Sequence, residues 1–459
     1  MEAKIRPLGN EDADYLQDES GFEGIAYSIS FPQNRNEVKD IIDQCMGNHE
    51  TITIQGALTG ITGAGVPLEG HVMNMKEMNH ILEITKDCGF VMKVEPGITF
   101  GELEGIVRKE SNNTYFLPVV PTEKSATLGG AVSSGSKGIQ SYHYGSLENY
   151  IEAIEICDNQ GTFVTIEKKA ENNLLIGSEG MLGAITAITL RLVKKPKYLW
   201  GIVFMFPEDE TACAFADSIH EMEQVMAVEY MDRKTIELID TYKNSMTQIS
   251  KVPSIPAEVN SLLYIEIAGD EEEIVEEAAA VLIEKCVETG GDPDTAWAVT
   301  GETEVENIRN YRHAASECTN MKIAESHGSN KRIKKLSADI EWKNRSRAEI
   351  LKYYNGKLEN SGLNYCIFGH LGTKQPYVNI LANNQEEYEQ GKMIMSQFIR
   401  DAYIDGGMVF KEHGIGKLKK GYFCELAPIE EINKMVKLKG KWDAKSVFNV
   451  GNMFSENQL

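Results

Sequence analysis

The chain has 459 residues, 42% hydrophobic and 25% charged, the composition of a globular protein of two or three domains. Asp and Glu total 69 against 46 Lys and Arg, and the formal net charge of −23 excludes sequence-independent binding to nucleic acid or anionic lipid, whose phosphates repel such a surface. No run reaches the roughly 18 apolar residues of a membrane span, the first twenty residues lack the apolar core of a signal peptide, and the eight cysteines form no CxxC pair; the expectation is a reduced, cytoplasmic protein without transmembrane segment, structural zinc or iron–sulfur centre.

The first forty residues read as helix, turn and a short strand over 24–30, ended by Phe31-Pro32. Val38, Ile41, Ile42 and Met46 recur at helical spacing, so a helix over 36–46 is expected, capped by Asn34 or Asn36. A strand over 51–54 follows, and from there to about Lys195 strands (HVMNM, FVMKVEP, IEAIEICD, TFVTIE, AITAITLRLV) alternate with glycine-rich turns, with one clear helix at 100–111. After Pro196 the pattern changes. A strand over 199–206, a helix over 208–224, AVEYMDRKTIELIDTY passing from strand to helix, the alternating strand LLYIEIAG and a helix over 271–289 describe an α+β domain on an antiparallel sheet. Helices over 302–316, 343–361 and 385–404 and the strands YCIFGHLG and YVNILAN complete it, leaving residues 425–459 as a short, mixed basic and apolar tail.

Three small-residue stretches carry the chemistry. Gln55-Gly56-Ala57-Leu58-Thr59-Gly60-Ile61-Thr62-Gly63 leaves a strand, and a turn so rich in glycine presents backbone N–H groups to an anion without Cβ interference. The spacing is neither GxGxxG nor a P-loop, so a nicotinamide site and a nucleotide triphosphatase are poor fits. Pro121-Thr122 with the segment Thr127 to Gly138, then Tyr144-Gly145-Ser146, form the second stretch, and Gly177 to Thr186 the third. Together they suit a long dinucleotide with a flat ring system.

On these segments, with VEPGITFGEL at 94–103, TLGGAV at 127–132 and GSEGMLGAIT at 177–186, residues 30–196 resemble the FAD-binding domain of the FAD-linked oxidases related to vanillyl-alcohol oxidase and p-cresol methylhydroxylase. The resemblance implies non-covalent FAD held by Gln55, Gly56, Ala57, Leu58, Thr59, Gly60, Thr62, Gly63, Pro121, Thr127, Gly129, Gly130, Ser133, Ser134, Tyr144, Glu179, Gly183 and Ile185, with Asn449 of FNVGN facing the flavin. Leu58 stands where that family has glycine, and SGSKG at 134–138 replaces an Asn-Ala-Gly-Gly run. It also implies an α+β fold of two lobes: an FAD-binding domain of the vanillyl-alcohol oxidase type at 1–198, an antiparallel-sheet substrate (cap) domain at 199–425, and a tail at 426–459 returning to the FAD domain.

The second half narrows the resemblance to the glycolate oxidase D-subunit and D-lactate dehydrogenase branch, on GHLG at 369–372, GGMVFKEHGIG at 406–416 and FNVGNMF at 448–454. That branch oxidises D-2-hydroxy acids to 2-oxo acids. His413 is then the base for the hydroxyl proton, and Arg312 the fork for the substrate carboxylate, set against a surface arginine paired with Glu306 or Glu317. Lys335 and His327 are weaker carboxylate candidates. The branch's metal site is degenerate here: His370 and Glu412 remain, but Tyr377 replaces the second histidine and Thr373-Lys374-Gln375 replaces Asp-Gly-Asn, so no bound metal is expected, with Lys374 or Tyr377 acting in its place. The partners expected are a small-molecule substrate and a separate electron acceptor (an electron-transfer flavoprotein, a quinone or an iron–sulfur subunit), in a homo-oligomer or a complex. An oxidase of a phenolic alcohol with Tyr377 as the phenol-binding group, and a flavin-binding relay subunit without turnover, are the alternatives.

Overall fold

A computed structural model describes residues 5–87, 89–167, 175–250 and 252–454. The chain divides into two compact units: residues to Gly138 with Ser146–Lys195 and everything from Phe410, and Ile139–Gly145 with Pro196–Val409. The first division falls at 195/196, close to the 198 expected. The second falls at 409/410 rather than 425/426, so the helices Lys420–Leu426 and Ile429–Trp442 belong to the first unit. Ile139–Gly145, with Tyr144, lies in the second unit, where Gln140 Nε2 donates to the buried Glu266 carboxylate at 2.8 Å.

The first unit contains two sheets. Strands β1 (Arg6–Pro7), β2 (Ser28–Ser30), β3 (Ile52–Gln55) and β4 (His71–Asn74) lie in the order β1-β2-β4-β3, with β2, β4 and β3 parallel. The helix Arg35–Asn48 makes the crossover. Asn34 caps it by accepting from the N–H groups of Asn36 and Glu37, and Val38, Ile41, Ile42 and Cys45 bury one face against Ile52 and Met73. Phe448 pairs beside Ile52 and is fully buried, which returns the C-terminal segment to this sheet. Strands β5 (Ile81–Thr85), β6 (Phe90–Val94), β7 (Tyr115–Phe116), β8 (Ile151–Cys157), β9 (Phe163–Glu167) and β10 (Ala184–Lys194) form an antiparallel sheet in the order β5-β6-β10-β8-β9, with β7 also on β10.

His71 sits inside the first sheet with no exposure, its ring nitrogens 2.8 and 2.7 Å from the hydroxyls of Ser28 and Ser30. Burial pushes its pKa down to about 4. A depressed histidine favours the fold fully above its unfolded value near 6.5, and that contribution, about 3 kcal/mol, is lost as pH falls from 6.5 to 4. Urea unfolding of the wild type should therefore lose more stability between pH 7 and pH 4 than that of His71→Gln. Equal losses would contradict the assignment.

The second unit is built on strands β11 (Tyr198–Phe206), β12 (Val225–Asp232), β13 (Ser261–Gly269), β14 (Trp297–Thr300), β15 (Leu336–Ala338), β16 (Tyr365–His370) and β17 (Gln375–Ile380). Their order is β14-β11-β13-β12-β16-β17-β15, and every pairing is antiparallel. Helices at Asp209–Ser218, Arg233–Tyr242, Glu272–Glu288, Glu302–Ser329, Arg347–Ser361 and Gln385–Asp405 accompany the sheet. The helix expected at 302–316 runs on to Ser329, its middle packed through Ala314, Ala315 and Cys318 onto the core. All of β12 and all but the last residue of β13 are buried, yet each carries one glutamate, Glu229 and Glu266, and a buried carboxylate must find a counter-charge.

Candidate active site

In the first unit the loop after β3 is braced at both ends. Gln55 Nε2 donates to the carbonyls of Tyr15 and Gly65 at 2.8 and 2.7 Å, and Asn74 Nδ2 donates to the Gly56 carbonyl at 2.9 Å. The Gly63 N–H donates to Asp18 at 2.8 Å; burial pushes that carboxyl up to about 6. Between these braces the N–H groups of Ala57, Leu58, Thr59, Gly60, Ile61 and Thr62 have no acceptor among the described residues, and Ala57 and Gly60 are exposed. Six consecutive amides without an internal acceptor are open to one from outside the chain, which suits the pyrophosphate expected there. A Cβ on Gly56 would lie 2.2 Å from Thr127 Oγ1, so glycine there lets the 127–134 segment meet this loop, and one on Gly129 would lie 2.6 Å from Pro96, where the same segment packs on the turn after β6. Leu58, at the family's glycine position, adopts φ +60°, the left-handed conformation that explains the preference for glycine there.

Several residues expected at the cofactor have other partners. Thr127 caps the helix Leu128–Ser134 through the Gly130 N–H, and Ser134 Oγ bonds the Ala131 carbonyl and Ser136 Oγ. Asn449 spends its side chain on Ile54, accepting from its N–H at 2.8 Å and donating to its carbonyl at 3.2 Å, and so prolongs β3 pairing. Glu179 is buried, and its carboxylate accepts from the N–H groups of Ile415 at 2.5 Å and Gly416 at 2.9 Å. Burial pushes that carboxyl up, opposed by these N–H groups and by the charges of Lys417 and Lys419. Ile185 and Gly183 stand at the start of β10 beside β8, where a Cβ on Gly183 would meet the Cys157 carbonyl at 3.0 Å. Ser133 accepts from the Glu179 N–H through its carbonyl, and Pro121 lies in the irregular stretch before the 127–134 segment. Glu412 is buried and His413 half-buried in the loop that Glu179 anchors.

The second unit gathers a charged cluster on the face of β12, β16 and β17. Tyr230 pairs with Gly369, which sets Glu229 across from His370. His370 Nδ1 lies 2.5 Å from one carboxylate oxygen of Glu229, and Arg312 Nε donates to the other at 2.7 Å. Burial alone would raise the Glu229 carboxyl, but the charges of His370 and Arg312 outweigh it and hold its pKa below the ordinary value. Arg312 is 1% exposed, and its Nη1 and Nη2 have no hydrogen-bond acceptor among the described residues. Its guanidinium carbon lies 5.2 Å from the Phe368 ring centroid and 5.9 Å from that of Tyr377, whose ring also meets His370 edge-on at 5.3 Å. Gly369, at φ +117°, makes room for that ring, since a Cβ would approach it to 2.8 Å. The turn after His370 is clamped by Arg347, which donates to the carbonyls of Leu371 and Gly372 at 3.0 and 2.6 Å and pairs with Asp217.

Arg312 is thus neither a surface residue nor a partner of Glu306 or Glu317; it is Arg309, one turn earlier, that reaches Glu306. Lys374 lies half-buried at φ +59° in the turn between β16 and β17, its charge felt by His220 and Glu349. Lys335 donates to Asn320 at 2.5 Å, and His327 Nδ1 meets the Ile333 carbonyl at 2.8 Å. Around His370, Nδ1 and both Glu229 oxygens are engaged with one another and with Arg312, whose guanidinium charge opposes a divalent ion beside it. The residue missed by sequence reasoning is Glu229, signalled only by a carboxylate in the middle of the otherwise apolar run VMAVEYM.

Comparison with known proteins follows the same division. Residues 28–167 match the FAD binding domain family and residues 195–453 the family described as FAD linked oxidases, C-terminal domain. A D-lactate dehydrogenase of Anaerostipes hadrus is 27% identical over 97% of this chain and 94% of that protein. The glycolate oxidase subunit GlcD of Bacillus subtilis (strain 168) is 25% identical over 95% of this chain and 90% of its own. A D-2-hydroxyglutarate dehydrogenase of Stutzerimonas stutzeri (strain A1501) is 22% identical over 93% and 91%. Among solved structures, an alkyldihydroxyacetonephosphate synthase superposes with a TM-score of 0.68 at 18% identity, over 97% of this chain and 81% of that one, a likeness of fold. No helix among the described residues is long and apolar enough to cross a membrane.

Proposed function

From the premise that this chain belongs to the FAD linked oxidases and is an FAD-dependent oxidoreductase, we propose that it oxidises a D-2-hydroxy acid to the 2-oxo acid and passes the electrons to a separate acceptor. The observation that carries this reading is the buried Arg312 guanidinium, fixed through Nε by Glu229 while Nη1 and Nη2 lack acceptors among the described residues. A buried cation fork of this kind calls for a carboxylate in bidentate contact. Bound FAD supplies a hydride acceptor.

The chain's own residues do the rest. The 56–62 backbone and the Thr59 hydroxyl hold the pyrophosphate, non-covalently. Arg312 fixes the substrate carboxylate, Glu229 keeps the guanidinium in place, and the Phe368 and Tyr377 rings keep its surroundings dry, which strengthens the ionic contact. His413 takes the hydroxyl proton at an imidazole nitrogen as the Cα–H bond breaks, so that one proton and one hydride leave together and the carbonyl forms. No step runs through a metal. A phenolic alcohol is less well supported, because it offers Arg312 Nη1 and Nη2 no paired acceptor oxygens.

The test is a dye-linked assay with D-lactate, D-2-hydroxyglutarate and glycolate, each beside its methyl ester, with and without chelator. The free acids should turn over, the esters at least 100-fold more slowly, with no effect of chelator. Acid precipitation should leave the yellow colour in the supernatant. Equal turnover of acid and ester, or activity lost to chelator and restored by a divalent ion, would contradict the proposal.

A further inference from the structure

The loop that carries His413 is tied to the fold through its backbone N–H groups and the Lys417 side chain. Its attachment is to segments of the same unit that sequence reading assigns to the cofactor. The Lys417 and Leu418 N–H groups both donate to the Thr62 carbonyl, at 3.0 and 3.1 Å. Gly416, at φ +53°, is pressed so close that a Cβ would lie 2.2 Å from that carbonyl oxygen. Lys417 Nζ reaches back to the Gly63 carbonyl at 3.1 Å and to Asn452 Oδ1 at 2.7 Å.

Glu179 closes the other side. Its carboxylate takes the Ile415 and Gly416 N–H groups, and a Cβ on Gly414 would stand 2.6 Å from its Oε1. Its own N–H donates to the Ser133 carbonyl at 2.8 Å, and its carbonyl accepts from Asn452 Nδ2 at 3.3 Å. Glu179 itself sits at φ +51°, a conformation that costs a non-glycine residue energy and persists where the surroundings over-determine it. One residue therefore joins the 127–134 segment, the His413 loop and the FNVGN segment.

We infer that Glu179 is a positioning residue for the His413 loop rather than a ligand of the cofactor: its carboxylate fixes the backbone two and three residues after His413 to the walls of the flavin site. A charged acceptor of two backbone donors in a buried setting is worth more than a neutral one, and a shift of about 1 Å in a reacting group is enough to cost about 100-fold in rate. The kinetic part of this inference rests on the reading of His413 as the base; the structural part does not.

The test is Glu179→Gln in the full-length flavoprotein, with Glu179→Ala beside it. The glutamine keeps the volume and one acceptor oxygen but turns an NH2 group toward the Gly416 N–H. Four readouts are taken: bound FAD per chain, hydrogen exchange at the Ile415 and Gly416 amides, the limiting rate of flavin reduction, and the substrate concentration for half-saturation. The expected result for Glu179→Gln is FAD content as in the wild type, at least tenfold faster exchange at the two amides, a limiting reduction rate lowered about tenfold and half-saturation within twofold. The alanine variant should move the same readouts further in the same direction. Loss of FAD with unchanged exchange at the two amides would make Glu179 a cofactor ligand and overturn the inference, as would unchanged exchange with unchanged reduction. If no 2-hydroxy acid reduces the wild-type flavin, the function proposed above fails, and the exchange readout still decides the role of Glu179.

Discussion

Arg312→Met is expected to lower kcat/KM for a D-2-hydroxy acid about 1,000-fold, the effect of some 4 kcal/mol of lost transition-state binding. Two costs combine. The substrate carboxylate loses a bidentate, desolvated partner. Glu229, 1% exposed, is left with His370 alone, and breaking a buried ion pair by removing one member costs about 3–5 kcal/mol of stability. Arg312→Lys separates the two. Lysine keeps a positive charge beside Glu229 but cannot hold Glu229 and form a fork at the same time, so folding should survive while KM for the acid rises at least tenfold. The methyl ester, which offers no carboxylate, should lose far less from either change. Steady-state kinetics on acid and ester, with urea unfolding of the same samples, measure all of this. A lysine variant with the wild-type KM would show that the fork serves the fold alone.

His413→Ala should lower kcat about 100-fold or more, the usual scale for loss of a general base, with KM little changed. The backbone ties of the loop should survive this change. Ile415, Gly416, Lys417 and Leu418 are fastened through backbone N–H groups to Glu179 and Thr62, and none of these bonds uses the imidazole. FAD content and thermal stability should therefore stay near the wild type. His413→Gln, which fills the same space without a basic nitrogen at neutral pH, should be as slow as alanine. A loss of less than threefold in either variant would remove His413 from the proton transfer.

Glycine made the cofactor unit legible. The 55–65 and 127–138 stretches are unusual because a Cβ would not fit, and the contacts of Gly56, Gly129 and Gly138 are the physical form of that signal. Charge pairing across the sheet was not legible. Glu229 and His370 are 141 positions apart and meet because β12 pairs with β16, a fact no local window contains. Arg312 was legible as a residue type but not in its surroundings: its helix was expected to end at 316, whereas packing of Ala314, Ala315 and Cys318 carries it to 329 and buries it. The segment expected to be a tail from 425 holds the helix Ile429–Trp442, whose buried Lys439 donates to the carbonyls of Met181 and Phe448 and pairs with Asp443. A lysine-rich stretch reads as solvent-facing in sequence, and only the fold places one of its ammonium groups inside.

The most direct measurement is an anaerobic titration of the purified flavoprotein with a D-2-hydroxy acid, following the flavin absorption band and the 2-oxo acid formed. The account predicts complete bleaching with one 2-oxo acid released per flavin, no bleaching by the methyl ester over the same interval, and none by the acid in Arg312→Met. Bleaching by acid and ester alike, or a flavin that no 2-hydroxy acid reduces while a phenolic alcohol does, would contradict it.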